Sequence, residues 1–173
     1  MGADEPAAVA PILLFACGNL SRGDDALGPL AAERVAALVA EHDLAVLVEC
    51  LIDFQLQIEH ALDLVGRRAV VFVDASIGCT APFAWTRVAA ARDVSYTSHA
   101  MSPAAVLQTY IDVRGEAPPC SWQLAIRGEA FELGEPPSPN AMANLEAALA
   151  FLAAWIETGE WTQGERPGGG QAG

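Results

Sequence analysis

The sequence predicts an α/β fold: a three-layer sandwich with a mainly parallel, twisted sheet of about five strands and helices on both faces. Three observations carry this prediction. Short apolar runs of strand length end at turn residues, stretches with apolar residues three and four apart separate them, and the two patterns alternate along the chain as βαβ units require. The 173 residues suit one domain. It is expected over residues 1–160, with 161–173 as a disordered, Gly-, Gln- and Pro-rich tail.

Residues 12–17 are uninterruptedly apolar and end at Gly18-Asn19, which reads as a buried strand feeding a turn. Leu27, Leu30, Ala31, Val35, Leu38 and Val39 then share one helical face up to about His42. Pro29 is tolerated only in a first turn, so this helix starts between Asp24 and Pro29. Residues 45–50 form a second short strand, and residues 56–64 have helical spacing closed by Gly66. The run 69–74 is the third strand. Residues 83–88 alternate as an edge strand, 102–110 read as a helix with Ser102 as N-cap and Pro103 at its first position, 122–127 as a strand, and 139–155 as the last helix.

Nine basic residues, all Arg, stand against 22 acidic ones, a formal net charge of −13. Such a balance argues against nucleic acid or an anionic membrane as partner. The absence of Lys removes the P-loop and Schiff-base chemistry. Cys17, Cys50, Cys79 and Cys120 are widely spaced, with no C-x-x-C pair, and fit a reducing compartment. The first residues carry Asp4 and Glu5 rather than a basic region, so no secretory signal is read, no apolar run reaches membrane-spanning length, and a cytoplasmic monomer is expected.

In a sheet of this kind, functional groups collect beyond the carboxyl ends of the strands. The first such loop has glycines at 18, 23 and 28, a spacing that fits neither a dinucleotide fingerprint nor a P-loop, and it presents two adjacent carboxylates, Asp24 and Asp25. One of them is expected to cap the following helix, which leaves the other over. Asp74 closes an otherwise apolar strand and must face the crevice or accept hydrogen bonds from the next turn. His99 lies in a loop of its own before the helix that Pro103 opens. Two carboxylates and an imidazole on converging loops form an O, O, N set suited to a borderline divalent ion such as nickel or zinc. Glu59-His60, within residues 55–63, is a second candidate: α-helical geometry would put Glu59 and Asp63 on one side with His60 about 100° away, and the alternative is a solvated helix face or packing at the start of the helix. The cysteines read as small buried residues, with Cys17 and Cys50 ending adjacent strands.

At these residues the chain resembles the hydrogenase maturation endopeptidase family. The resemblance rests on Cys17-Gly-Asn-Leu-Ser-Arg-Gly-Asp-Asp-Ala-Leu-Gly-Pro29, Val73-Asp-Ala75 and Ser98-His-Ala-Met-Ser-Pro103, in that order. Leu56-Gln-Ile-Glu-His-Ala-Leu-Asp-Leu64 and Arg127-Gly-Glu-Ala-Phe-Glu-Leu-Gly-Glu135 look like the branch serving cytoplasmic, often NAD-linked, bidirectional hydrogenases. The similarity covers about residues 12–155.

What the resemblance implies is specific. Such proteins, classed with aspartic-type endopeptidases, remove a C-terminal extension from the precursor of the [NiFe]-hydrogenase large subunit after nickel insertion. They recognise the substrate-borne nickel through three side chains, which here fall on Asp25, Asp74 and His99, with Asp24 as the neighbouring acid. The common family form has Glu where this sequence has Asp25, one methylene shorter. No tightly bound cofactor is implied, because soft resident thiolates would compete with the substrate's own for the nickel. Asn19 and Arg22 are further substrate or oxyanion contacts on this reading. The competing readings are a non-catalytic metal-checking chaperone of the large subunit and a free-standing metal-dependent hydrolase.

Overall fold

The computed structural model describes residues 8–94 and 100–164. Strands β1 (Ile12–Cys17), β2 (Val48–Asp53), β3 (Ala69–Ser76), β4 (Phe83–Val88) and β5 (Cys120–Arg127) form one sheet in the order β2-β1-β3-β5-β4. Every neighbouring pair is parallel except β4, which runs antiparallel to β5 along one edge.

The pleat sorts each strand's side chains onto two faces. Ile12, Leu14, Ala16, Val71 and Val73 join residues of α1 (Leu27–Glu41) and α3 (Pro139–Thr158), such as Leu27, Val35, Leu145 and Leu152, in one core. Leu13, Phe15, Cys17, Val70 and Phe72 join Ala61 and Leu64 of a 3-10 helix, Ile58–Leu64, and Val106 and Leu107 of α2 (Pro103–Arg114) in the other. Both faces are covered, which is why β1 and β3 read as continuous apolar runs rather than alternating ones. Each large side chain so removed from water contributes about 1.5–3 kcal/mol.

Ser102 and Ser138 cap α2 and α3 by accepting the N–H groups of Ala105 and Ala141, and a proline follows each cap. Neither Asp24 nor Asp25 caps α1. Its first residues are preceded by a 3-10 turn, Gly23–Ala26, and no side chain caps either element.

Strands β3 and β5 and helices α2 and α3 differ from the sequence pattern by a few residues at their ends, and three larger departures change which residues meet. The second strand lies three residues later than expected, because Leu44 and Leu47 spend their apolarity in a turn packed against the first core, and pairing with β1 begins only at Val48 opposite Ile12. That shift brings Asp53 to the end of β2, opposite Cys17. Residues 58–64 form a 3-10 rather than an α-helix, so Glu59 and Asp63 stand about 120° apart instead of on one side. The inward-facing polar residue there is His60, 9% exposed. Finally, the chain stays packed past Gly159: Glu160–Gly164 forms a 3-10 turn with Trp161 buried in the first core, beyond the boundary expected at residue 160. Among the described residues no helix is long and apolar enough to cross a membrane.

Candidate active site

β1 has β2 on one side and β3 on the other, and the chain leaves β1 over one face through α1 but reaches β3 from β2 over the opposite face. The strand order therefore reverses between β1 and β3, and a crevice opens above their carboxyl ends. Gly28 sets how closely α1 approaches it. A Cβ at that position would overlap the Cys17 carbonyl oxygen and crowd that of Val73, so only glycine lets the first turn of α1 sit across both strand ends. Gly18, at φ 144°, turns the chain out of β1 with its α-carbon against the Asp25 backbone.

Asp25 is half-buried on this turn. Its Oδ2 accepts the Asn19 N–H at 3.1 Å, and among the described residues Oδ1 has no hydrogen-bond partner. Asp74 continues the parity of Val70 and Phe72 along β3, and its Oδ1 accepts the Ala75 N–H at 2.8 Å. Both expectations for Asp74 hold together: it faces the crevice and takes a bond from the following backbone. Asp25, Asp74, Cys17, Phe54, Ala100 and Met101 are among the residues lining a cavity of about 290 Å³.

Burial pushes the Asp74 carboxyl up to about 6, the Ala75 N–H counters this, and the neighbouring Asp25 charge adds to the rise. Burial, then the charges of Asp74, Asp53 and Asp25, push the Cys17 thiol up to about 12. Cys17 is therefore a neutral thiol at physiological pH, neither a nucleophile nor a ready metal ligand. The crevice concentrates negative potential, and carboxylates so placed are able to bind a cation or take a proton from water. Cys50, by contrast, packs against the opposite core and is no part of the crevice.

Asp24 does not reach the crevice. It is fully buried, and its carboxylate accepts the N–H groups of Glu129 (2.7 Å), Ala130 (3.0 Å) and Ser138 (2.6 Å) and the Ser138 hydroxyl (2.9 Å). Burial raises its pKa, but these bonds outweigh it, and the carboxyl lies below its ordinary range. The same seam is stitched by the Gly23 N–H to Glu135 O, the Gly134 N–H to Ser21 O and Arg22 Nε to Phe131 O. Arg22, expected as a substrate contact, is thus engaged in holding the segment that leads to α3.

His99 lies outside the described residues. On either side of that segment, Asp93 accepts the N–H of Ser102 at 3.0 Å and also its hydroxyl, and the Met101 N–H donates to Leu56 O at 3.1 Å. Among the described residues no group of three His, Cys, Asp or Glu side chains is arranged to hold a metal ion. The residue that the sequence pattern missed is Asp53, whose place at the end of β2 was hidden by the three-residue shift of that strand.

No protein-family model matches the chain, and no curated protein matches it in sequence. Its fold matches that of the hydrogenase maturating endopeptidase HybD from E. coli, with 25% identity, a TM-score of 0.62, and coverage of 86% of this chain and 93% of that one. The fold is that of the hydrogenase maturation proteases. A [NiFe] hydrogenase maturation protease HycI from Thermococcus kodakarensis KOD1 superposes with a TM-score of 0.65 at 20% identity, covering 87% of this chain and 95% of that one. A third structure, of an endopeptidase from Escherichia coli, shares 23% identity over 86% of this chain and 93% of its own, with a TM-score of 0.61.

Proposed function

We propose that this protein is a [NiFe]-hydrogenase maturation endopeptidase, which removes the C-terminal extension from the large-subunit precursor once nickel has been inserted. The observation that carries this reading is the placement of Asp25 and Asp74 across one crevice, at the strand-order reversal of a maturation-protease fold. Cys17 and Asp25 of the first motif, Val73 and Asp74 of the second and Ala100 and Met101 of the third line this crevice.

On this reading the nickel arrives as part of the substrate and is met by Asp25, Asp74 and His99. His99 is covalently next to Ala100, which lines the crevice. Two hard oxygens and an imidazole suit a divalent ion that the precursor's own thiolates already hold, because they add affinity without stripping the metal away. Docking fixes the scissile peptide beside the carboxylates, and positioning of this kind can supply several kcal/mol of the barrier reduction. A water then attacks the carbonyl carbon while a carboxylate of the pair accepts its proton. The tetrahedral adduct collapses with cleavage of the C–N bond, and the proton passes to the departing amine.

The acid character of the site is divided unequally. Asp74, raised to about 6, is the carboxyl better matched to taking and returning a proton near neutrality, and Asp25, with Oδ1 open, is the better placed to meet a cation. Asp24 acts through the seam it holds and does not touch substrate.

Asp25→Asn tests the assignment. It is expected to lower kcat/KM for processing by a factor of about a hundred or more, with weaker binding of the nickel-loaded precursor, because one of the groups that meet the metal has lost its charge. Processing at the normal rate would remove Asp25 from the chemistry. Brief chelator treatment of the purified protein, before substrate is added, is expected to leave processing unchanged, whereas a free-standing metalloenzyme would be stopped by it.

A further inference from the structure

Three large apolar side chains stand exposed around a groove beside the crevice: Phe54 at 73%, Leu20 at 51% and Ile52 at 47%. With Asn19, Pro29 and Asp53 they line a cavity of about 380 Å³. Phe54 lines both this groove and the crevice of Asp25 and Asp74, so the two are continuous. Isolated surface apolar residues need no explanation, but three around one concavity at the mouth of a reactive site do.

Phe54 is held out deliberately by its neighbours. Its N–H donates to Asp53 Oδ1 at 2.6 Å, His60 Nε2 lies 3.2 Å from Asp53 Oδ2, and the Gln57 N–H donates to His60 Nδ1 at 2.8 Å. Because Nδ1 is occupied as an acceptor, the neutral ring carries its proton on Nε2 and donates it to Asp53. His60 is wedged edge-on against Phe15, with ring centroids 4.6 Å apart, and Leu56 O accepts the Met101 N–H. Residues 53–57 are thus braced from the core, from within and from the loop before α2. A brace that presents an aromatic ring to water contributes no burial in the free protein, since that ring contributes only when something covers it.

Resting on the peptidase reading, we propose that Leu20, Ile52 and Phe54 form a specificity subsite for an apolar side chain of the precursor peptide adjoining the scissile bond, and that His60, through Asp53, is the positioning residue that holds Phe54 there. Both Asp53 oxygens are engaged in the brace, so the groove offers apolar surface, and the negative charges of Asp25, Asp53 and Asp74 disfavour an acidic residue at that place.

The test is steady-state cleavage of nickel-loaded precursor. Phe54 is a surface residue, so Phe54→Asp is expected to fold normally, to raise KM about tenfold or more and to leave kcat within about twofold, whereas Phe54→Leu stays near wild type. His60→Ala is expected to raise KM in the wild-type background and to add nothing in a Phe54→Ala background, because it acts through that ring. A merely structural His60 would lower activity by the same factor in both. Wild-type cleavage together with an unchanged KM for Phe54→Asp overturns the subsite and leaves the peptidase reading standing. No cleavage by the wild type overturns both.

Discussion

Asp24 lies beside Asp25 in sequence, yet its replacement is predicted to act on stability first. Asp24→Ala deletes the acceptor for three backbone N–H groups and the Ser138 hydroxyl in a site without solvent access. Each buried donor left unmade costs about 1–3 kcal/mol, but neighbouring losses overlap as the seam relaxes, so the total is expected to be about 3–5 kcal/mol. For a domain of this size that lowers Tm by about 10 °C or more. Asp24→Asn keeps one acceptor oxygen but turns an NH₂ toward donors, and should cost about 2–4 kcal/mol. Urea denaturation at pH 7, read as a shift of midpoint at constant slope, measures both. The pH dependence has a definite sign: because the folded pKa is depressed, the stabilisation is complete above the ordinary value of 3.8 and is lost as pH falls through the folded pKa. The gap between wild type and Asp24→Ala should therefore narrow in acid. An Asp24→Asn midpoint within about 0.5 kcal/mol of wild type at pH 7 would refute the seam argument, and abolished processing at that undiminished stability would return Asp24 to the chemistry.

The two further predictions concern Asp74. Its folded pKa of about 6 stands above the ordinary 3.8, so the folded state loses stability as pH rises through that window and carries the full penalty above it. Asp74→Asn is accordingly expected to be more stable than wild type by about 1–2 kcal/mol at pH 8, with the difference shrinking toward pH 4, by thermal denaturation across pH. A variant less stable than wild type at pH 8 would contradict the burial argument. In processing assays, kcat/KM for the wild type should fall about tenfold per pH unit once the pH drops below about 6, as Asp74 gains a proton in the free enzyme. A flat profile from pH 7 to 5 would show that Asp74 need not be ionised.

The layers of the fold were legible because continuous apolar strands and amphipathic helices answer to burial alone. β1 was read to the residue, and Ser102 with Pro103 announced α2 by cap chemistry. What sequence concealed was set by partners distant along the chain. The limits of β2 depend on register with β1, and Leu44 and Leu47 are as apolar as strand residues while serving a turn. The division of labour between Asp24 and Asp25 could not be read from two adjacent acids, because the groups that engage Asp24 lie more than a hundred residues away, at Glu129, Ala130 and Ser138. His60 read, with Glu59, as a second candidate or as part of a solvated or packing helix face, because its partner Asp53 comes into reach only where β2 actually ends. Asp74 was recoverable from sequence because a charge at the end of a buried strand has few places to go.

On the proposed reading this protein cuts a hydrogenase large-subunit precursor only after nickel is in place. Intact-mass measurement of the precursor, nickel-loaded and nickel-free, after incubation with the purified protein tests it most directly. Loss of a short C-terminal peptide from the loaded form alone is the expected result. An unchanged mass in both forms would contradict the peptidase reading, and equal cleavage of both would contradict the role given to the metal.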